Sequence, residues 1–297
     1  MTHSPARRAL LAAAATVPLV SACGYWPFRR GAAANPAERQ LAELEAAHGG
    51  RLGVYALNTG NGKQLAHRAD QRFAFCSTFK VMAVAAMLRR SSKDPGLMDE
   101  HIIYGIDSLV PNSPVTSKHL GGDGLSIADL CAAALQYSDN AAANLLLREA
   151  GGLSTVNDFA RSIGDDTFRL DRWEPTLNEA LPNDWRDTST PQAMAKSLQK
   201  IALGDALGAP QRQQLITWMR GNTTGNQRIR AGVPQGWSVA DKTGTGDYGT
   251  TNDLALAWPP GKPPLAIALY YTQDQNDASA NSEVLAAATR IAVQAIA

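Results

Sequence analysis

The spacing of apolar residues changes character twice along the chain, and the two changes divide it into an extended, a helical and again an extended region. From Pro36 to His48, Leu41 and Leu44 stand among charged residues and Gly49-Gly50 follows, which predicts a helix with a glycine stop. Arg51 to Asn58 and Gln64 to Arg68 predict two strands of a hairpin around Thr59-Gly60-Asn61-Gly62-Lys63. Phe79 to Arg90 is apolar nearly all round, with Val81, Met82, Val84, Met87 and Leu88, as a buried helix must be. Ser126 with Asp129 has the form of a capping box opening a helix through Leu130 and Leu135. Further helices carry Leu145 to Leu147 up to Gly151-Gly152, then span Pro191 to Leu203 and Pro210 to Met219. Residues 165 to 191 keep no period and hold Pro175 and Pro182, and structureless loops of that length are usually functional. Beyond Gly221 strands return at Trp237 to Thr245, Leu254 to Trp258 and Leu265 to Thr272, before a last Ala-rich helix from Ser282 to Ile296.

Strands at both ends with helices between them imply one sheet shared by the two ends. The expected fold is α/β plus α: a five-stranded antiparallel sheet flanked by helices, from residues 36–70 and 221–297, with an all-helical domain inserted at 71–220. There are no internal repeats.

Composition narrows the function. Hydrophobic residues are 44% and charged ones 19%, which excludes a disordered chain. Lys and Arg number 28 against 27 acidic residues, so no long-range field draws the protein to nucleic acid. Five scattered histidines and three cysteines show no metal-binding spacing, so no metal and no cofactor is expected. Residues 1–22 have the form of an export signal, with Arg7-Arg8, an apolar run from Ala9 to Val20 and small residues at Ser21-Ala22. Val20-Ser21-Ala22-Cys23 resembles a bacterial lipobox, which implies lipidation of Cys23 and a membrane anchor through a tether at 23–35; the alternative is ordinary cleavage at the same bond. Removing residues 1–22 takes two arginines and no acid, which leaves a formal charge of −1.

Three short motifs carry chemistry. Ser77-Thr78-Phe79-Lys80 puts a hydroxyl and an amine one helical turn apart, at a helix start whose free N–H groups suit an oxyanion. Ser138-Asp139-Asn140 lies between two helices, and Lys242-Thr243-Gly244 lies in a strand. Each alone is as well read as a helix cap, a helix–helix turn or an edge lysine. In this order, with 57 and 101 residues between them, they match the S-x-x-K, S-D-N, K-T-G set of penicillin-recognising serine enzymes. The long loop adds Arg172-Trp173-Glu174-Pro175-Thr176-Leu177-Asn178 and Asp187. With that loop, residues 36 to 297 are identified as resembling class A serine β-lactamases, of the actinobacterial type.

The resemblance implies a β-lactamase/transpeptidase-like fold and hydrolysis of penicillins and cephalosporins through an acyl-enzyme on Ser77. It implies an oxyanion hole from the backbone N–H groups of Ser77 and Thr245 and proton transfer to the ring nitrogen by Ser138. The acylation base would be Lys80, or Glu174 through water, and Glu174 with Asn178 would direct the deacylating water. Lys242, Thr243, Gly244 and Thr245 would meet the substrate carboxylate and Asn140 its side-chain amide. Arg228 would add charge at the carboxylate, against a reading as a surface arginine beside Arg230. Arg172 and Asp187 would pin the Ω-loop, about residues 165–187. The chain departs from some relatives: Val84 precludes a disulfide to Cys131, Gly246 precludes one to Cys76, and Asn112 replaces an aromatic residue at the site mouth. The rival readings are a cell-wall peptidase and a β-lactam sensor that stays acylated; Glu174 and Asn178 argue against the first. The expected partner is the β-lactam alone, for an exported, monomeric enzyme. Gly244-x-Gly246-x-x-Gly249 matches a dinucleotide loop in letters only, since it leads into a strand.

Overall fold

Asn35 Oδ1 accepts from Ala37 N at 3.1 Å and Pro36 takes the first turn, so α1 (Pro36–His48) begins with its free N–H groups satisfied. Residues 35–297 are described by the computed structural model; the export signal, Cys23 and the tether to Ala34 lie outside the described residues. After α1 come β1 (Arg51–Asn58), β2 (Gln64–His67), β3 (Phe73–Ala74), α2 (Lys80–Ser91), β4 (His101–Ile102) and β5 (Leu125–Ser126). Helices follow as α3 (Ile127–Gln136), α4 (Asn140–Ala150) and α5 (Leu153–Ser162). Then come β6 (Thr188–Ser189), α6 (Pro191–Ala202), α7 (Ala209–Arg220) and the one-turn α8 (Ile229–Gly232). The chain ends with β7 (Ser238–Gly246), β8 (Thr250–Trp258), β9 (Leu265–Thr272) and α9 (Ser282–Ile296).

The five long strands form one antiparallel sheet in the order β2-β1-β9-β8-β7, so the two ends of the chain do share it. Period-2 patterning divides its faces. Leu52, Val54 and Ala56 of β1 with Leu265, Ile267, Leu269 and Tyr271 of β9 pack under α1 and α9, while Tyr55, Ala266, Ala268 and Tyr270 face the helical layer. At the centre of that layer α2 is buried from Lys80 to Leu88, as its all-round apolar sequence requires. One carboxylate clasps α1 to the hairpin: Glu45 accepts from Leu52 N at 2.8 Å and from Arg68 Nε at 2.7 Å, and meets His67 Nε2 at 3.2 Å.

Four details differ from the sequence reading. Ser126 caps α3 by accepting from Asp129 N at 3.0 Å, but the Asp129 carboxylate takes the Ser126 hydroxyl at 2.6 Å instead of reaching back to a backbone N–H. Helix α5 was not expected; it starts on Gly152, which has no capping side chain, and its buried Val156, Phe159 and Ala160 make too short a stripe to stand out. Strand β8 begins at Thr250, four residues before Leu254, because Thr250 to Asp253 are buried despite being polar. Ser77 lies in a 3-10 turn, Cys76–Phe79, that leads into α2.

Candidate active site

The nucleophile segment is held from three sides. Phe75 stacks on Phe168 with centroids 5.0 Å apart, and β3 pairs with β6 at the base of the Ω-loop. From β8, the Asn252 amide donates to Ala74 O at 2.8 Å and Phe75 O at 3.1 Å, fixing the turn in which Cys76 adopts φ 46°. A Cβ on Gly244 would stand 2.7 Å from Phe75 O, so only glycine lets β7 lie this close to the nucleophile. Cys76 itself is buried and burial pushes its thiol pKa up, which keeps it a packing group beside Ser77.

The motif residues converge on Ser77. Its Oγ donates to Glu174 Oε1 at 3.1 Å, and Lys80 Nζ reaches the same oxygen at 3.0 Å. Lys80 also donates to Ser138 O at 2.8 Å and to Asn140 Oδ1 at 2.6 Å, so all three of its protons have partners. Lys242 Nζ donates to Ser138 Oγ at 3.0 Å and to Thr243 O at 2.8 Å, leaving the Ser138 proton free to face the cleft. Both lysines are fully buried. Burial lowers the pKa of Lys80, against the pull of Glu174; burial and then the charge of Lys80 bring Lys242 well below its ordinary value.

The Ω-loop is tied down where the sequence reading placed its ion pair. The buried Asp187 carboxylate accepts from Asp171 N at 2.8 Å, Arg172 N at 2.9 Å and Arg172 Nε at 2.5 Å, and Arg172 reaches on to Glu179 at 2.6 Å. Asn178 Nδ2 donates to Glu174 Oε2 at 2.5 Å, and Asn178 Oδ1 is a buried acceptor with no protein donor. Sequence reasoning missed Asn144, whose amide brackets Glu174: Nδ2 donates to Glu174 O at 2.9 Å and Oδ1 accepts from Glu174 N at 3.1 Å. It also missed the role of Asp139, which caps α4 at Ala142 N and accepts from Val115 N and Thr116 N, all between 2.8 and 2.9 Å. Asn144 carries no signal in sequence, because its partner is 30 residues away; Asp139 carries a local one, an Asp three residues before Ala142 at a helix start, but its contacts to Val115 and Thr116 are visible only in the fold.

A cleft of about 360 Å³ opens over these groups, lined among others by Ser77, Ser138, Asn140, Thr224, Arg228 and Thr245. Arg228 is not a surface arginine: it is 7% exposed and donates to Gly244 O at 2.8 Å, Asn252 O at 2.7 Å and Thr245 Oγ1 at 2.7 Å. Arg230 has a different task, donating to the buried Asp241 at 2.7 Å. Burial raises the pKa of the neighbouring Asp253 well above the usual carboxylate value, and the charge of Asp241 adds to the rise. A larger cavity of about 550 Å³ lies on the other side of the Ω-loop, between Arg72, Trp185 and the end of β9, and holds none of the motif residues. The G-x-G-x-x-G stretch is the β7–β8 hairpin, and among the described residues no group of three His, Cys, Asp or Glu could hold a metal.

Comparison with known proteins agrees with this geometry. The profile of the beta-lactamase enzyme family matches residues 36–296. Beta-lactamase OXY-1 of Klebsiella oxytoca is 52% identical over 297 residues, covering 100% of both chains. The carbapenem-hydrolyzing beta-lactamase KPC of Klebsiella oxytoca is 52% identical over 278 residues, 92% of this chain and 94% of that one. Among solved structures, the beta-lactamase from Desulfarculus baarsii DSM 2075 superposes with a TM-score of 0.85 at 52% identity, over 86% of this chain and 95% of that one.

Proposed function

The chain belongs to the beta-lactamase enzyme family as a class A serine β-lactamase, an enzyme of antibiotic resistance, and we propose that its side chains divide the hydrolysis as follows. Ser77 Oγ attacks the β-lactam carbonyl while its proton passes to Glu174, the acceptor it already touches at 3.1 Å. Lys80, whose protons are all engaged, steadies that carboxylate and the Ser138 carbonyl. The backbone N–H groups of Ser77 and Thr245 take the oxyanion. Ser138 gives its proton to the departing ring nitrogen and is replenished by Lys80, which in turn takes from Glu174, across their 3.0 Å contact, the proton that came from Ser77, so that Glu174 is a carboxylate again when the ester is formed. Lys242, Thr243, Gly244, Thr245 and Arg228 form the wall for the substrate carboxylate, and Asn140 meets its side-chain amide.

The ester must then be hydrolysed. Water donating to Glu174 and to the open Asn178 Oδ1 attacks the acyl carbonyl, Glu174 takes its proton, and Ser77 leaves with a proton returned through the same carboxylate. The observation that carries this reading is the placement of Glu174, in reach of both Ser77 Oγ and Asn178 Nδ2. The test is turnover of a chromogenic cephalosporin by residues 23–297. Ser77→Ala should abolish it, by about a thousandfold or more. Glu174→Ala should acylate and stall, with the adduct on Ser77 visible by mass spectrometry; equal turnover by Glu174→Ala and parent would exclude Glu174 as the base.

The reading extends to the rest of the chain. Residues 1–22 direct export, Cys23 carries a lipid, and the mature enzyme works as a monomer held by its tether. Residues 36–70 with 221–297 form one domain and 71–220 the inserted one; the apolar layer beneath α1 and α9, drawn only from the first set, supports that division. No helix among the described residues is long and apolar enough to cross a membrane.

A further inference from the structure

Beside the carboxylate wall runs a chain of hydrogen bonds whose direction is fixed at every link. Asp241, buried and holding Arg230 Nε at 2.7 Å, accepts from Asn222 Nδ2 at 2.6 Å. The opposite end of that amide, Asn222 Oδ1, accepts from Thr224 N at 3.0 Å, and a backbone N–H only donates, so the orientation of Asn222 is not in doubt. Asn222 Oδ1 also accepts from Thr224 Oγ1 at 2.8 Å, which commits the one hydroxyl proton of Thr224. The contact between Thr224 Oγ1 and Thr243 Oγ1, 2.5 Å long, therefore has Thr243 as its donor. Thr243 thus turns its only proton away from the cleft, toward Thr224, which stands exposed at the cleft edge.

Resting on the carboxylate-binding role given to Thr243 above, we infer that Thr224, oriented by Asn222 and Asp241, is a positioning residue that competes with the substrate carboxylate for the Thr243 proton. Each binding event requires the Thr243 hydroxyl to leave Thr224 and swing to the carboxylate, and each product departure lets it swing back. The carboxylate is present in substrate, acyl-enzyme and product alike, so the competition weakens all of them together. Such uniform weakening raises KM without lowering kcat. Asp241 supplies the fixed negative end that keeps the chain pointing one way.

The experiment is steady-state kinetics of the mature enzyme with benzylpenicillin and with its methyl ester, which lacks the anionic carboxylate. Thr224→Val removes the competing acceptor at nearly constant volume, and KM for benzylpenicillin should fall about three- to tenfold, the ratio of a charged to a neutral hydrogen bond, with kcat within about twofold of the parent. Thr224→Ser should restore the parental KM, and the ester should show no difference between the three proteins. Thr243→Val separates this inference from the reading it rests on: a raised KM in Thr243→Val with an unchanged KM in Thr224→Val overturns the competition alone, whereas no effect of Thr243→Val removes the role of Thr243. A raised KM in Thr224→Val also overturns the inference, since Thr224 would then be a donor to the substrate. Thermal unfolding of each variant confirms that folded enzymes are being compared.

Discussion

The two halves of the sheet bury side chains of opposite character. In the β1–β9 half, Leu52, Val54, Ala56, Leu265, Ile267 and Leu269 fill both strands, and burial of apolar surface at roughly 25 cal/mol per Å² holds them. In the β7–β8 half, Asp241, Lys242, Thr243, Thr251, Asn252 and Asp253 are as fully buried, and each needs hydrogen-bond partners to be tolerated there. The first half supplies stability that the second spends on chemistry. A buried ammonium beside a second ammonium is unfavourable in isolation, and under the function proposed above the substrate carboxylate would supply the countercharge that Lys242 lacks.

Three substitutions test that contrast. The largest effect is expected from Lys242→Met, which keeps the volume and removes the charge: kcat/KM with benzylpenicillin should fall about a hundred- to a thousandfold, from loss of one charged contact and of the Ser138 partner. If the polar half trades stability for function, the same variant unfolds at a temperature no lower than the parent; a clear drop in Tm would show that Lys242 stabilises the fold. Next comes Leu269→Ala in the apolar half, which should cost about 3 kcal/mol in denaturant unfolding while kcat and KM of the folded enzyme stay parental. A change in kcat there would break the separation between the halves.

The smallest and most conditional effect concerns Glu45, the one charge that clasps α1 to the apolar half. Burial pushes its pKa up, but the Arg68, Leu52 and His67 contacts outweigh that and bring it from 4.5 down to about 2. A carboxyl with a depressed folded pKa adds stability that is fully present above about pH 4.5 and is lost as pH falls through about 2. Glu45→Gln should therefore be less stable than the parent at pH 7, and the gap should close between those limits. A gap that persists at pH 2 would assign the clasp to shape and not to charge.

The same contrast explains what was legible in the sequence. Strands β1 and β9 and helices α1 and α9 follow from alternation, caps and breakers, and their observed bounds fall within a residue of those expected. The start of β8 did not, because Thr250 to Asp253 have a surface composition and an interior address. In the site, Ser77, Lys80, Ser138 and Lys242 were found because their motifs are local. Asn144, Asn222 and Thr224 were not, because a side-chain amide or hydroxyl becomes informative only when the fold brings its partner against it, Glu174 for Asn144, Asp241 for Asn222 and Thr243 for Thr224.

The strand order β2-β1-β9-β8-β7 also sets a timetable. Strand β7, with Lys242 and Thr243, is joined to the amino-terminal hairpin only through β8 and β9, and β9 pairs with β1 across a separation on the order of 200 residues. A chain still growing from the ribosome has made Ser77, Lys80 and Glu174 long before the strand that closes the sheet. The residues that line the cleft are therefore gathered last, by strands near the carboxyl end, and a partly synthesised chain has no means of closing it.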